Sequence, residues 1–278
     1  MTYLQKLADL SEIGADSTTT GVVLGAVDVK DAFLMVEQPS PVMVTLLGKT
    51  HWVKRNLPGQ RLGAKSWYWH LRQFLLDKLD MMFCVEQPCI AQNDRCCIVV
   101  HVDDILFCGD EQYWRETFLK EFAKELKISH SELQGVGSEI SFPKRTIRSL
   151  SSGLALIPGT SAGKVIELFE LHFGKARMQT IPCDQSIQFE DVSSPLNAKD
   201  TYHFGSVIGT CLYLARDRPD LLFVEKELSG SMSCPTLTSL QRLRKLVGYL
   251  KMTSDICLVL EKPQPGQGRW KTVIDFGF

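Results

Sequence analysis

The sequence predicts an α+β protein, and three observations carry that prediction. Strand and helix signals interleave along the 278 residues without an internal repeat. The strand signals are β-branched apolar runs closed by polar or turn residues, whereas the helix signals place apolar residues at intervals of three and four. Two of the apolar runs flank adjacent aspartates, the pattern of a tight antiparallel hairpin.

Taken in order, GVVLGAVDV (21–29) is a β-branched run ending in polar residues and predicts a buried strand. VMVTLL before Gly48 and HWVKRN (51–56) after it predict a second, partly exposed strand pair. From Ala64 the period changes. Trp67, Leu71, Phe74, Leu75 and Leu79 fall on one face of a long amphipathic helix. CIVVHV (97–102) and ILFC (105–108) flank Asp103 and Asp104, which are expected as the two turn residues of the hairpin. Trp114, Phe118, Phe122 and Leu126 mark another helix, and residues 133–157 hold short strand signals broken by Gly135, Gly137, Pro143 and Gly153. A helix is expected over 162–173. Residues 181–200 are rich in Ser, Asp and Pro and form the best domain boundary. Beyond it, 203–229 and 235–251 read as two helices, and RWKTVIDFGF begins a strand. PGTSAGKV (158–165) has three residues between its glycines where a phosphate-binding loop has four, so a turn with Ser161 capping a helix explains it better.

Composition excludes several classes. Hydrophobic residues at 44% and charged residues at 23% are near globular averages, which argues against a disordered tail or a membrane protein. No apolar run approaches the ~20 residues of a membrane span. Nine cysteines at irregular spacing, with no CxxC pair, read as small buried hydrophobes, and a reducing, intracellular setting is expected. The net charge of −1 hides segregation. Residues 1–40 hold two cations against six carboxylates, net −4, and residues 41–80 hold seven cations against two carboxylates, net +5.

The chemistry is expected at the carboxylates. Asp28 alone reads as a strand-end turn or cap residue, and Asp103 with Asp104 as ordinary turn residues. Together they are three carboxylates at strand ends beside apolar sequence, where unpaired charges repel and raise one another's pKa. A hard divalent cation relieves that repulsion. Oxygen-only ligation suits Mg²⁺ or Mn²⁺, and two such ions ~3.5–4 Å apart are the device for in-line phosphoryl transfer.

At these residues the chain resembles a known family. AVDVKDAF (26–33) and VVHVDDILF (99–107), separated by LPGQRLGAKSWYWHL (57–71), are similar to the palm of a reverse transcriptase from a copia-type long-terminal-repeat retrotransposon. ELFELHFGKARMQTIPCD (167–184), YHFGSVIGTCLYLARDRPDLLFVEKELS (202–229) and LRKLVGYLKMT (243–253) resemble the thumb end and connection region of the same polyprotein. The resemblance covers roughly residues 20–260. It implies a right-hand polymerase fold: residual fingers in 1–25, palm 26–145, thumb 146–184, linker 185–200, a mainly helical connection region 201–262, and the start of a ribonuclease H-like domain in 263–278.

The same resemblance implies roles. Asp28 and Asp103 become metal ligands for two Mg²⁺ or Mn²⁺ ions, with the Val29 carbonyl contributing and Asp104 beside them. Phe33 falls where the family has an aromatic gate against the ribose 2′-OH, although a core aromatic explains it equally well. Gly59 and Arg61 match the segment that contacts nucleotide and template, and Gln60 is displaced from the family's functional glutamine. Val136 and Gly137, within GVGSE, match the hairpin that grips the primer terminus. Lys54, Arg55, Lys65 and Arg72, interleaved with Trp52 and Trp67, suit a phosphate backbone with stacked bases, or else form a solvated face. Trp67, on the apolar helix face, reads as core. Arg242, Arg244, Lys245 and Lys251 form a second cationic helix, which either follows the duplex or is simply exposed.

Departures bear on activity. His101 stands where the family's hairpin has tyrosine, few residues precede Asp28, and the chain stops within an expected ribonuclease H strand in which Asp275 has no partner carboxylates. The expected function is RNA-directed DNA polymerisation by two-metal nucleotidyl transfer. Its partners would be an RNA or DNA template with primer, deoxynucleoside triphosphates and the rest of the Pol polyprotein, in a cytoplasmic particle or the nucleus and without a membrane. The alternative is an inactive remnant that folds and binds nucleic acid.

Overall fold

The computed structural model describes residues 21–143, 145–183 and 193–261, together with the backbone of 271–275. The expected residual fingers before residue 21, residues 185–192 of the expected linker and residues 262–270 lie outside the described residues, as does the side chain of Asp275. The chain divides into two compact units, with the division after Pro143.

In the first unit six antiparallel strands form one sheet in the order β4-β5-β6-β7-β1-β8. They are β1 (Val22–Val29), β4 (Met82–Phe83), β5 (Ile90–Gln92), β6 (Cys96–His101), β7 (Asp104–Asp110) and β8 (Ile128–Glu132). β2 (Glu37–Leu46) and β3 (Lys49–Arg55) make a separate two-stranded ribbon, as their mixed pattern predicts. α1 (Gly63–Leu79) forms where the period changes to 3.6, and all five residues of its predicted face are buried. Three contiguous helical segments follow β7, at Glu111–Tyr113, Trp114–Phe118 and Leu119–Glu125, together α2. Asp110 starts this helix by accepting the Tyr113 N–H at 2.6 Å, and a buried carboxylate here also opposes the positive end of the helix.

Alternation along the strands decides which face receives the helices. Val23, Val27 and Val29 of β1, Ile98 and Val100 of β6, and Ile105 and Phe107 of β7 join Trp67, Leu71 and Leu75 of α1 and Trp114, Phe118 and Phe122 of α2 in one core. Cross-strand partners share a face. Asp28, Asp104, His101 and Ser129 therefore lie on the opposite side, at one end of the sheet. β9 (Glu139–Phe142) lies against β1, β7 and β8.

The hairpin differs from expectation by one residue. His101 pairs with Asp104, so the turn residues are Val102 and Asp103, and Asp104 is the first residue of β7. The reason is the neighbouring strand: the β1–β7 ladder continues to the pair Asp28 and Asp104, which requires Asp104 to be extended. Val102 instead takes a left-handed conformation, φ 59°.

The second unit combines a sheet with helices. β10 (Arg145–Leu150), β11 (Gly153–Pro158), β12 (Cys257–Glu261) and β13 (Lys271–Asp275) pair in the order β13-β12-β11-β10. α3 (Ser161–Phe173), α4 (Ala198–Leu214), α5 (Leu222–Gly230) and α6 (Leu237–Met252) enclose a second core. The boundary expected at 181–200 falls inside this unit, because Val165 and Phe169 of α3 pack with Phe204 and Val207 of α4 and Leu246 of α6. The helix expected over 203–229 is broken. Pro219 has no N–H to continue it and disfavours helical geometry at Arg218, which sits at φ −130°, ψ 75°. Thr160 rather than Ser161 precedes α3, and its side chain makes no cap. Three cysteines are buried, at 96, 97 and 211, but Cys234 is exposed and the others are partly so, which departs from a uniformly buried set. No helix among the described residues is long and apolar enough to cross a membrane.

Candidate active site

The site is built at the end of the strand pair β1 and β7. Asp28 and Asp104 oppose each other in the ladder, and the Val29 N–H donates to the Asp103 carbonyl at 3.0 Å, closing the turn against β1. The three carboxylates predicted to act together are thus carried by two adjoining backbone segments. Their charges interact. Burial pushes the Asp104 carboxyl above the usual range, the negative charges of Asp103 and Asp28 push it the same way, and His101 acts in the opposite direction. Asp28 is exposed, and its Oδ2 accepts the Ser129 hydroxyl at 3.2 Å.

The donor set is made of oxygen and carries excess negative charge, which fits a hard divalent cation. The carboxylates at this end of the sheet that offer such oxygens are Asp28, Asp103 and Asp104. In the side-chain positions of this structure, no group of three His, Cys, Asp or Glu among the described residues is gathered tightly enough to enclose an ion.

The predicted contact residues are spread over several separate segments of the first unit. Gly59 and Gln60 form a tight turn ahead of α1. Gly59 has φ +88°, where a side chain would be strained, and Gln60 Oε1 accepts the Leu57 N–H at 3.1 Å. Arg61 is exposed in the same loop. Phe33 is half-buried against the first core, with its ring next to Gly63 at the start of α1. Lys54 is exposed on β3 beside Trp52, and the Arg55 guanidinium donates to the Met35 carbonyl at 3.0 Å. Lys65 is exposed on α1, whereas the Arg72 guanidinium lies 4.1 Å from the Phe83 ring centroid. His101 is exposed at the end of β6. Val136 and Gly137 occupy an exposed loop between β8 and β9, which the Ser138 hydroxyl ties to the Gly135 carbonyl at 2.6 Å.

In the second unit, two members of the expected cationic helix are engaged internally. Arg244 donates to the carbonyls of Phe173 and Lys175, and Lys251 pairs with Glu170 at 2.7 Å. These contacts join α6 to α3, so the reading of simply exposed cations fails for both.

Sequence reasoning misses Ser129, because nothing local to ISHSE reveals that β8 pairs with β1 opposite Asp28. It also misses Asn56, which is fully buried between β3 and the 57–62 loop and whose side-chain amide has no partner among the described residues.

The fold and site define a class, an antiparallel α+β protein with carboxylates at the end of its central strands. No protein-family model matches the chain. The chain is similar to the retrovirus-related Pol polyprotein from transposon RE1 of Arabidopsis thaliana, with 24% identity over 217 residues, and to that from transposon RE2, with 22% over 226. Each match covers 76% of this chain and 14% of the polyprotein, so the chain spans about a seventh of the relatives' length. The resemblance to transposon Pol carried by the aspartate motifs thus extends along most of the chain. Among solved structures, a foamy viral protease-reverse transcriptase bound to an RNA/DNA hybrid is similar at a TM-score of 0.47, with 13% identity, over 92% of this chain and 33% of that one. The dRH form with double-stranded DNA is similar at 0.49, with 14% identity, over 100% and 47%.

Proposed function

We propose that this chain is the polymerase domain of a copia-type retrotransposon Pol protein, an RNA-directed DNA polymerase that extends a primer on an RNA or DNA template. The observation that carries the proposal is the junction of β1 and β7, where Asp28 opposes Asp104 and the Val29 N–H closes the Asp103 turn. When bound at Asp28 and Asp103, with the Val29 carbonyl, two Mg²⁺ or Mn²⁺ ions would supply charge stabilisation for phosphoryl transfer from a deoxynucleoside triphosphate.

The chain's own residues do the rest. Ser129 orients the Asp28 carboxylate by donating to one oxygen and leaves the other available. The strand ladder holds Asp28 and the Asp103 turn at a fixed separation, so little rearrangement is needed as substrate binds. Asp104 sits beside them, its carboxyl pushed above the usual range by burial and by the neighbouring aspartates. Phe33, against the start of α1, is the gate that excludes a 2′-hydroxyl. The 57–61 loop, with Gly59, Gln60 and Arg61, meets the incoming nucleotide. Lys54, Arg55, Lys65 and Arg72 face the template phosphates, while His101, Val136 and Gly137 contact the primer end.

Primer extension on an RNA template with Mg²⁺ or Mn²⁺ tests this reading. Deoxynucleotide incorporation that disappears in Asp103→Asn supports it. Absence of incorporation together with salt-sensitive template binding supports the folded, inactive remnant instead.

A further inference from the structure

Trp67 does more than fill the core. It is 1% exposed on α1, and its Nε1–H donates to the Val102 carbonyl at 2.6 Å, across 35 residues of sequence. Val102 is the left-handed residue of the hairpin turn, at φ 59°. A β-branched residue rarely adopts that conformation, and it persists only where the surroundings impose it. The next carbonyl, of Asp103, accepts the Val29 N–H at 3.0 Å. Both turn carbonyls are therefore held, one by a helix and one by the central strand. Val102 is itself 41% exposed, so packing of its own side chain does not secure the turn. Trp67 also lies about one helical turn from Gly63, where the 57–62 loop enters α1. One rigid segment thus connects that loop to the turn bearing Asp103.

We propose that Trp67 is a positioning residue: its indole N–H fixes the Val102–Asp103 turn, and so sets the Asp103 carboxylate relative to Asp28 and couples it to the 57–62 loop. The metal-site part rests on the reading of Asp28 and Asp103 as ligands given above. Groups that orient ligands from outside the coordination sphere alter metal affinity by about 10–100-fold when removed.

The test compares the full chain with Trp67→Phe, which deletes the N–H but keeps an aromatic ring, and with Trp114→Phe. Trp114 is a control of matched chemistry in the same core, since it is also fully buried and donates its indole N–H, to Glu132 at 2.6 Å. Two quantities are measured: Mn²⁺ affinity by electron paramagnetic resonance, and amide exchange at Val29 relative to Val27 by NMR. In Trp67→Phe, Mn²⁺ binding weakens by about tenfold, and Val29 exchanges faster by about fivefold, the equivalent of one neutral hydrogen bond. Trp114→Phe changes neither ratio. Unchanged Val29 exchange in Trp67→Phe overturns the proposal, as does an equal change in Trp114→Phe. If Trp67→Phe fails to fold, benzothienylalanine at position 67 keeps the bicyclic shape without the N–H and gives the same two readouts. Should the native chain bind no Mn²⁺ that Asp103→Asn releases, the metal reading fails, and Val29 exchange alone then decides whether Trp67 holds the turn.

Discussion

Glu225 supplies a prediction whose size follows from its surroundings. It is 1% exposed on α5, and neither carboxyl oxygen has a hydrogen-bond partner among the described residues. Burial pushes its pKa up to about 8, the Asp220 carboxylate pushes the same way, and Arg218 pulls it down. Arg218 does little to relieve it. The guanidinium is already committed to Asp220, at 2.9 and 2.8 Å, and to Thr253. In the unfolded chain Glu225 loses its proton near 4.5. Between that value and about 8 the folded chain binds one more proton than the unfolded chain, so stability falls as pH rises, by up to ~1.4 kcal/mol per unit. From pH 5 to pH 7 this amounts to ~3 kcal/mol as an upper bound. Glu225→Gln keeps the shape and has no proton to lose. Urea unfolding, followed by far-ultraviolet circular dichroism across this range, should show the two proteins nearly equal at pH 5 and the variant more stable by ~2–3 kcal/mol at pH 7. Other titrating groups are common to both chains and cancel in the difference. A difference that stays flat with pH would refute the reasoning.

Two further predictions concern the first unit. In Gly25→Ala the new Cβ would sit 2.5 Å from the Trp114 ring, which is packed between Phe107 and Phe118, so the variant should lose ~1–3 kcal/mol by urea or thermal unfolding. An unchanged midpoint would show that the indole has room to move. Phe33→Ala should relax discrimination against ribonucleotides if the ring lies beside the incoming sugar. An active variant with unaltered discrimination leaves Phe33 as a core aromatic only.

Much of this architecture is legible in the sequence because its signals are strong and local. The five apolar positions of α1 repeat at helical spacing and are all buried, and the β-branched run before Asp28 is the central strand β1. What local patterns miss depends on partners distant in sequence. The hairpin register is set by β1 on the far side of β7, so Asp104 joins a strand while Val102 occupies a turn conformation that its own side chain disfavours. Ser129 reaches Asp28 across 101 residues. Trp67 is recognised as core from its helical face, but the target of its N–H depends on tertiary packing. Similarly, 181–200 looks like a boundary by composition, yet α3 and α4 on its two sides share a core. The aspartate motifs are recognisable as motifs. Their ladder contact and mutual charge effects require the fold.

Single-nucleotide extension of a primer annealed to RNA, comparing the native chain with Asp28→Asn, tests the central claim most directly. The assigned site predicts incorporation of one deoxynucleotide in Mg²⁺ or Mn²⁺ by the native chain. In the variant the rate should fall by about 10³-fold or more, as loss of several kcal/mol of charge stabilisation requires, with template binding retained. Incorporation at the native rate by Asp28→Asn, or none by the native chain under either metal, would contradict it.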